Sequence, residues 1–189
     1  MEFKKIQLNG FKSFAEKTNF LIEDGLTGIV GPNGCGKSNI VESLRWVMGE
    51  TSAKSMRGSG MEDVIFSGTS NKASKNIAEV SIEVENKDKE GPIQYRELDQ
   101  IQIRRKIEKD KGSKFYINDK EVRARDAQMF FADLSTGAHS PSMISQGRIG
   151  ALVTAKPTDR RAILEEAAGI SGLHVRRHEA ELRLGAAEN

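Results

Sequence analysis

Eight consecutive residues constrain this chain more than any other feature of its sequence. Residues 31–38 read Gly-Pro-Asn-Gly-Cys-Gly-Lys-Ser, which is the G-x-x-x-x-G-K-[ST] phosphate-binding loop. The apolar run Leu26–Val30 precedes the loop and predicts a buried strand, and residues 39–48 have apolar side chains at helical spacing. In this context, backbone N–H groups, a helix N-terminus and a lysine converge on one anion. The sequence therefore predicts a site for a nucleoside triphosphate.

The loop positions have distinct chemical roles in such a site. Lys37 is predicted to reach the β- and γ-phosphate oxygens as a compact charge, and the Ser38 hydroxyl is predicted to ligate Mg²⁺. Cys35, the only cysteine of the chain, is interpreted as a small residue that acts through its backbone, so no disulfide framework or structural zinc site is expected. The candidate nucleotide-contacting residues of this segment are Pro32, Asn33, Gly34, Cys35, Gly36, Lys37, Ser38 and Asn39.

Composition indicates an ordinary globular protein with one core. The chain has 189 residues, of which 37% are hydrophobic and 30% are charged. It contains no apolar run of bilayer length, and its first residues, Met-Glu-Phe-Lys-Lys, lack the apolar stretch of a secretory signal, so we expect a cytoplasmic protein without a membrane partner. The net charge of +2 does not by itself indicate a polyanionic partner. Residues 101–125, however, contain nine Lys or Arg against four Asp or Glu, which is either a basic patch or an ordinary solvated surface.

Hydrophobic periodicity predicts several strands and two further helices. The expected strands are residues 3–8, 18–22, 78–84, 101–103 and 115–117, with residues 64–66 returning to the sheet and Asn118-Asp119 forming a hairpin turn. A helix is expected over residues 125–134. A final helix is expected after Pro157, with Thr158 as its N-cap and an apolar face formed by Ile163, Leu164, Ala167 and Ile170.

Two segments imitate parts that a phosphate-loop ATPase needs but that this chain otherwise lacks. Hydrolysis usually requires an acidic residue at the end of a neighbouring buried strand. Residues 129–133 end in Asp133 after four apolar residues, but they continue a helical pattern and are interpreted as a helix face. Residues 134–137 echo a Leu-Ser-Gly-Gly element, but Pro141 blocks the helix that should follow, so a loop is expected. Either a partner polypeptide completes the site, or the chain is half of a larger protein.

Five segments together resemble the N-terminal head half of a bacterial SMC (structural maintenance of chromosomes) protein of the condensin type. They are Gly10–Phe14, Gly31–Asn39, Arg57 with Met61–Phe66, Ile144–Gly147 and Glu165–Ile170, and they span nearly the whole chain. The resemblance implies an α/β fold, half of an ABC-type P-loop NTPase head with a mixed sheet and a strand-rich lobe. Residues 1–172 would form the head half. Residues 173–189, in which Arg, Glu and His are interleaved, would begin a coiled-coil helix.

The resemblance also implies roles for residues outside the loop. With ATP and Mg²⁺ as cofactors, Gln146 is similar to the Q-loop residue that ligates Mg²⁺ or orients water. Arg57 is similar to the R-loop arginine that approaches the phosphates. Lys12 and Ser13 resemble residues that line the phosphate and base side of the nucleotide.

The remaining implications concern partners. Arg123 and Arg125 match basic positions that would hold double-stranded DNA without sequence preference, although Gly60 stands where some relatives carry a lysine. A C-terminal half, joined through a coiled coil and a hinge, would supply the acidic strand and the Leu-Ser-Gly-Gly helix. A second head would complete an ATP-sandwiched homodimer, with a kleisin and its accessory subunits attached.

The function implied is ATP hydrolysis that drives chromosome condensation and segregation at the nucleoid, with this chain inactive alone. Two alternatives stay open at this point. The chain could be a nucleotide-dependent interaction module that never hydrolyses ATP, or it could belong to the DNA-repair branch of the same superfamily.

Overall fold

The computed structural model describes residues 1–89, 91–134, 143, 153–168, 177, 181 and 184–185. The chain divides into two compact units, Met1–Ala127 and Gln128–Asn189. The first unit is built on a six-stranded sheet with the strand order β2-β1-β3-β4-β5-β6, and all five pairings are antiparallel. The strands are β1 (Glu2–Asn9), β2 (Thr18–Leu21), β3 (Ile77–Glu85), β4 (Gln100–Glu108), β5 (Gly112–Ile117) and β6 (Lys120–Val122).

The described part of the chain also contains three α-helices and three short 3₁₀ helices. The α-helices are α1 (Lys37–Val47), α2 (Ala124–Asp133) and α3 (Pro157–Ala167). The 3₁₀ helices are Lys54–Met56, Met61–Val64 and Ile93–Tyr95. Helix α1 contacts β3 and β4 in the middle of the sheet, so the sheet supports the helix that follows the phosphate loop.

The core lies on one face of the sheet, as the period-two pattern requires. Strand β3 buries Ala78, Val80, Ile82 and Val84, and the neighbouring strand β4 buries Ile101, Ile103, Arg105 and Ile107. Helix α1 adds its own stripe, Ile40, Trp46 and Val47, to the buried set. Burial of these apolar side chains orients α1 relative to the sheet.

A buried arginine joins the C-terminal end of α1 to the sheet. Arg105 is 3% exposed, and its guanidinium lies 4.5 Å from the Trp46 ring and 4.7 Å from the Phe115 ring. Its Nη1 donates to the carbonyl oxygens of Trp46 and Glu50, each at 2.7 Å, and its Nε donates to the Ser113 hydroxyl at 2.9 Å. Burial lowers the pKa of Arg105 to about 10, and the Glu50 carboxylate opposes that shift, so the group stays charged at neutral pH.

Most of the periodicity-based expectations are confirmed. The five expected strands form β1 to β5, and residues 125–134 largely coincide with α2. Asp133 is the last residue of α2, which confirms its assignment to a helix. Asn118 and Asp119 both have positive φ, 46° and 62°, the conformation required in the two-residue turn that joins β5 and β6.

Two expected strands are wrong. Leu26–Val30 lies in no strand, and Leu26 and Val30 are 99% and 94% exposed. An apolar run becomes a strand only where neighbouring strands form hydrogen bonds with its backbone N–H and C=O groups. Among the described residues, no strand pairs with Leu26–Val30. Residues 64–66 are buried but contribute only an isolated bridge between Phe11 and Ile65, because Met61–Val64 winds into a 3₁₀ helix.

The second unit contains α3, which begins at Pro157 and not after it. Proline suits the first helical position because it has no N–H to leave unpaired, so Thr158 lies inside the helix and the N-cap expectation is wrong. Leu164, placed on the expected apolar face, is exposed. The other three residues of that face lie outside the described side chains.

Residues 173–189, the expected start of a coiled-coil helix, are described only at four positions. Arg177 and Glu181 are both helical, and their side chains pair at 3.2 Å with the i, i+4 spacing of one helix face. Across the described part of the chain, the helices are all too short or too polar to cross a bilayer.

Candidate nucleotide-binding site

The phosphate loop has a backbone that requires glycine. Gly34 and Gly36 have φ values of 84° and 96°, in the left-handed region that other residues rarely adopt. A Cβ atom at Gly36 would also lie 2.5 Å from the Ser13 hydroxyl oxygen. The loop therefore packs against the turn at residues 10–14 with no room for a side chain at its sixth position.

The start of α1 has the properties of an anion site. The helix begins at Lys37, its N-cap Gly36 provides no side-chain hydrogen bond, and its first turn contains no acidic residue. The Lys37 ammonium donates to the carbonyl oxygens of Gly31 at 2.6 Å and Pro32 at 2.7 Å, which holds it against the loop. Residues 31–35 and Ser38 are exposed. A triphosphate fits these donors, and Ser38 offers a hydroxyl oxygen, the type of ligand that Mg²⁺ accepts.

Three side chains form a hydrogen-bonded line beside the loop. Asn39 Nδ2 donates to the Ser13 hydroxyl at 2.8 Å, and Arg57 Nη2 donates to Asn39 Oδ1 at 3.2 Å. These residues come from the turn at residues 10–14, from the first turn of α1 and from the segment after Lys54–Met56. The structure thus brings together three predicted site residues that are far apart in the sequence: Asn39 from the phosphate-loop segment, and Ser13 and Arg57 from the family resemblance.

A buried carboxylate lies next to this line. Glu42 pairs through Oε2 with the Lys12 ammonium and through Oε1 with the Arg57 guanidinium. The Lys12 ammonium also donates to the Met56 carbonyl oxygen. Lys12 and Arg57 have positive φ values of 47° and 54°, a conformation that is unfavourable for residues other than glycine and that the surrounding contacts must hold.

The turn at residues 10–14 is held in place by packing and backbone hydrogen bonds. Gly10 has a φ of 63°, and a Cβ there would lie 2.2 Å from the Ile77 carbonyl oxygen, so only glycine fits. Phe11 and Phe14 exchange backbone hydrogen bonds of 3.1 and 2.8 Å, and the Phe11 ring lies 5.4 Å from the Trp46 ring of α1. The Lys12 N–H donates to the Val64 carbonyl oxygen at 2.7 Å. These contacts set the position from which Lys12 reaches Glu42 and Ser13 reaches Asn39.

Sequence reasoning missed Glu42. The signal was available, because Glu42 follows Asn39 by three residues and therefore shares its face of α1. It also precedes Trp46 by one helical turn, which places a carboxylate among the residues that α1 buries. Gln146, the expected Q-loop residue, lies outside the described residues, and so does Ile144–Gly147 as a whole. The roles assigned to individual residues of this site stay predictions.

The basic segment at residues 101–125 does not form one surface. Arg105 is buried, and Arg104 pairs with Glu79 at 3.3 Å and with Asp119 at 2.8 Å. Two of the lysines, Lys111 and Lys114, pair with Glu108 and Glu121. Since alternate residues of a strand face opposite sides of the sheet, a run of charge in the sequence is divided in space.

Arg123 and Arg125 are exposed at the start of α2. Arg123 lines a cleft of about 610 Å³ together with Lys114 and Lys120. Glu121 and Asp126 also line the cleft, so its charge is mixed.

Comparisons with known proteins identify the family to which the chain belongs. Residues 2–148 match the family described as the RecF/RecN/SMC N terminal domain, and the chain belongs to this family. It is homologous to the N-terminal part of SMC ATPase heads.

The curated relatives that the chain resembles include bacterial chromosome partition proteins. The chain is 58% identical over 188 residues to the chromosome partition protein Smc of Cereibacter sphaeroides, a match that covers all of this chain and 16% of the relative. The corresponding protein of Rhodopseudomonas palustris is 56% identical, again with 16% of its length covered. The chain therefore spans about a sixth of the length of these relatives.

A solved structure of an SMC head confirms the expected fold class. The head of the Smc protein from Pyrococcus furiosus, with an extended coiled coil and bound to the C-terminal domain of ScpA, superposes with a TM-score of 0.82 at 32% identity. The match covers 98% of this chain and 46% of that one. Because the match covers 98% of this chain, it includes the six-stranded antiparallel sheet.

Proposed function

We propose that the chain is the N-terminal half of an SMC ATPase head that binds MgATP through the phosphate loop. Together with its C-terminal half and a second head, it hydrolyses ATP to drive chromosome condensation and segregation at the nucleoid. The observation that carries the proposal is the arrangement at α1, where an uncapped helix start, Lys37 and the line from Ser13 through Asn39 to Arg57 surround one exposed loop.

The residues divide the chemistry among them. The N–H groups at the start of α1 and the Lys37 ammonium bind the phosphates, and the Ser38 hydroxyl ligates Mg²⁺, with Gln146 as the proposed second ligand. Bound Mg²⁺ neutralises charge that develops on the phosphate oxygens. Arg57 approaches the same oxygens, because its guanidinium already lies against Asn39, two residues after Lys37.

The exposed run at residues 26–30 supports the need for a C-terminal half. Leu26 and Val30 lie almost fully in solvent immediately before the loop. Apolar side chains and unpaired backbone in this position require strands from elsewhere to cover them, since a strand that leads into a phosphate loop is normally inside a sheet. The same added strands would bring the acidic residue that no described strand of this chain places beside the loop.

This argument predicts that hydrolysis depends on the second half. We expect no turnover above background from this chain alone, and steady turnover from the complete head. Adding the C-terminal half as a separate polypeptide is expected to restore turnover to the chain. Phosphate release measured under saturating MgATP tests this, and multiple turnovers by the chain alone would show that it carries its own acidic group.

The comparisons favour the chromosome branch over the alternatives. The curated relatives are chromosome partition proteins, and one solved relative is reported in connection with ATP-driven dimerisation and DNA-stimulated activation of SMC ATPases. That structure superposes with a TM-score of 0.78 at 32% identity and covers 88% of this chain and 99% of its own. By homology, the proposed partners are a second copy of the head, which sandwiches ATP, and a kleisin with its accessory subunits. A complete head that binds ATP but never hydrolyses it would instead support the interaction-module alternative.

We also propose that the engaged heads hold double-stranded DNA through Arg123 and Arg125. Their exposure and the neighbouring Lys114 and Lys120 supply cations that can meet DNA phosphates, and such interactions add affinity without reading the base sequence. The DNA would lie across the two heads, so the pair of arginines would contact it once on each head.

Charge reversal at these arginines is expected to weaken DNA binding and its dependence on salt. We expect this for Arg123→Glu combined with Arg125→Glu in the complete head. The plot of the logarithm of the DNA-binding constant against the logarithm of salt concentration should become shallower by about one unit of slope for each arginine–phosphate interaction removed. Fluorescence anisotropy with two unrelated duplexes and MgATP measures this slope. The matched control is Lys17→Glu with Lys72→Glu, which makes the same charge change at exposed lysines elsewhere. Equal slopes for all three proteins would place the DNA on another surface.

A further inference from the structure

Glu42 is a buried carboxylate at the edge of the phosphate site, and it has no role among the phosphate and Mg²⁺ contacts proposed above. Its side chain is 10% exposed and contacts two cations that come from different parts of the chain. We propose that Glu42 is a positioning residue that holds the Arg57 guanidinium beside the phosphate loop, with Lys12 anchoring the carboxylate. This inference rests on the proposed ATP-binding function.

The two oxygens of Glu42 meet cations of different character. Oε2 pairs with Lys12, whose side chain is 13% exposed and also donates to the Met56 carbonyl oxygen. Oε1 pairs with Arg57, whose side chain is 59% exposed. One pair is therefore an internal anchor, and the other directs a solvent-exposed group.

The anchor makes the carboxylate rigid. A buried carboxylate needs charge compensation and hydrogen-bond donors, and Lys12 supplies both from a turn that is itself fixed by Gly10 and by the Lys12 N–H bond to Val64. Glu42 is also held by the backbone of α1, the helix that carries Lys37 and Asn39. Its Oε1 is thus a fixed point relative to the phosphate loop.

Arg57 needs such a fixed point. An exposed arginine has several rotatable bonds, and holding it in one rotamer costs side-chain entropy. Glu42 Oε1 forms an ion pair with Arg57 Nη2, and Asn39 Oδ1 accepts a hydrogen bond from the same nitrogen. Glu42 and Asn39 lie three residues apart on one face of α1. Together they prepare the guanidinium to meet a phosphate oxygen with little further ordering.

The charges are also matched to this task. Lys12 and Arg57 are two cations against the one carboxylate of Glu42, so the group retains one net positive charge. An uncompensated pair of cations would repel each other. The carboxylate lets them lie close together while an attraction for a phosphate remains.

The test is a double-mutant cycle in the full-length protein, with Glu42→Gln, Arg57→Ala and the double variant. Glu42→Gln keeps the shape of the side chain and removes its charge. We expect kcat for ATP hydrolysis to fall about tenfold with little change in KM, the scale at which a misplaced group affects the chemical step. In the Arg57→Ala background, the same change should alter kcat by less than about twofold, because Glu42 acts through Arg57. The matched control is Glu83→Gln, which removes a carboxylate paired with Lys5 at 2.7 Å and is expected to leave kcat unchanged.

The outcomes separate this inference from the proposed function. If the wild-type protein neither binds nor hydrolyses ATP, the proposed function fails and the inference fails with it. If the wild-type protein hydrolyses ATP and Glu42→Gln matches it, or loses the same factor with and without Arg57, only the positioning role is wrong. Should Glu42→Gln lower the thermal midpoint markedly, Glu42→Asp keeps a carboxylate against Lys12 and shortens its reach toward Arg57. Its loss of kcat should likewise disappear in the Arg57→Ala background, and a loss that persists there would overturn the proposal.

Discussion

Replacing Lys37 by alanine is expected to abolish detectable ATP binding by the complete head, with Kd raised by at least about 100-fold. The ammonium is the only side-chain cation within residues 31–38, and it is held at 2.6 and 2.7 Å from two loop carbonyl oxygens, at the start of α1. Its removal would eliminate two charge-assisted hydrogen bonds to phosphate oxygens, and the helix dipole alone does not replace them.

Isothermal titration calorimetry with MgATP measures this effect. Lys17→Ala, which removes an exposed lysine outside the site, is the matched control and should bind as the wild type does. Because Lys37 also ties the loop together, the thermal midpoints of both variants are compared first. Wild-type affinity in a folded Lys37→Ala variant would reject the assignment of the loop.

The second large effect is expected on stability, from Arg105→Met. Methionine keeps the packing against the Trp46 and Phe115 rings but removes the charged donor that Arg105 supplies to the Trp46 and Glu50 carbonyl oxygens. Each hydrogen bond from a charged donor contributes about 1.5–3 kcal/mol to stability. We therefore expect a decrease of about 2–4 kcal/mol in the free energy of unfolding and a thermal midpoint lower by about 5–10 °C.

The adjacent residue provides the control for this prediction. Arg104 lies on the opposite face of β4, where its side chain is partly exposed and pairs with Glu79 and Asp119. Arg104→Met removes the same charge from the same strand, yet solvent-screened pairs contribute only about 0–1 kcal/mol. Thermal unfolding of the two variants compares them directly. Equal decreases would show that the buried hydrogen bonds of Arg105 add nothing beyond the removal of a charge.

The position of Arg105 also explains why the number of basic residues does not by itself identify a basic surface. Nine cations between residues 101 and 125 suggested a surface for a polyanion. Strand alternation sends Arg105 into the core and Arg104 to the other face, and which face becomes the core depends on where α1 packs. Arg123 and Arg125 stay candidates for binding DNA phosphates, together with Lys114 and Lys120, which line one cleft with Arg123.

Local chemistry determined the features that the sequence predicted correctly. The phosphate loop is recognisable because its glycines and lysine are needed at fixed spacing within eight residues, and its backbone conformation follows from them. The strands β3 to β5 follow from alternating burial, and the Asn118-Asp119 turn follows from residues that tolerate positive φ. None of these inferences requires knowledge of a distant part of the chain.

The tertiary structure alone decided whether Leu26–Val30 is a strand and what Glu42 does. A strand exists only when a neighbouring strand satisfies its hydrogen bonds, so apolar composition could not distinguish a paired run from an exposed one. Glu42 acquires its partners because the fold brings two distant residues to one carboxylate. Lys12 lies 30 residues before Glu42, and Arg57 lies in the segment that follows α1. Such contacts depend on chain closure over long separations, and for that reason no short window of sequence contains them.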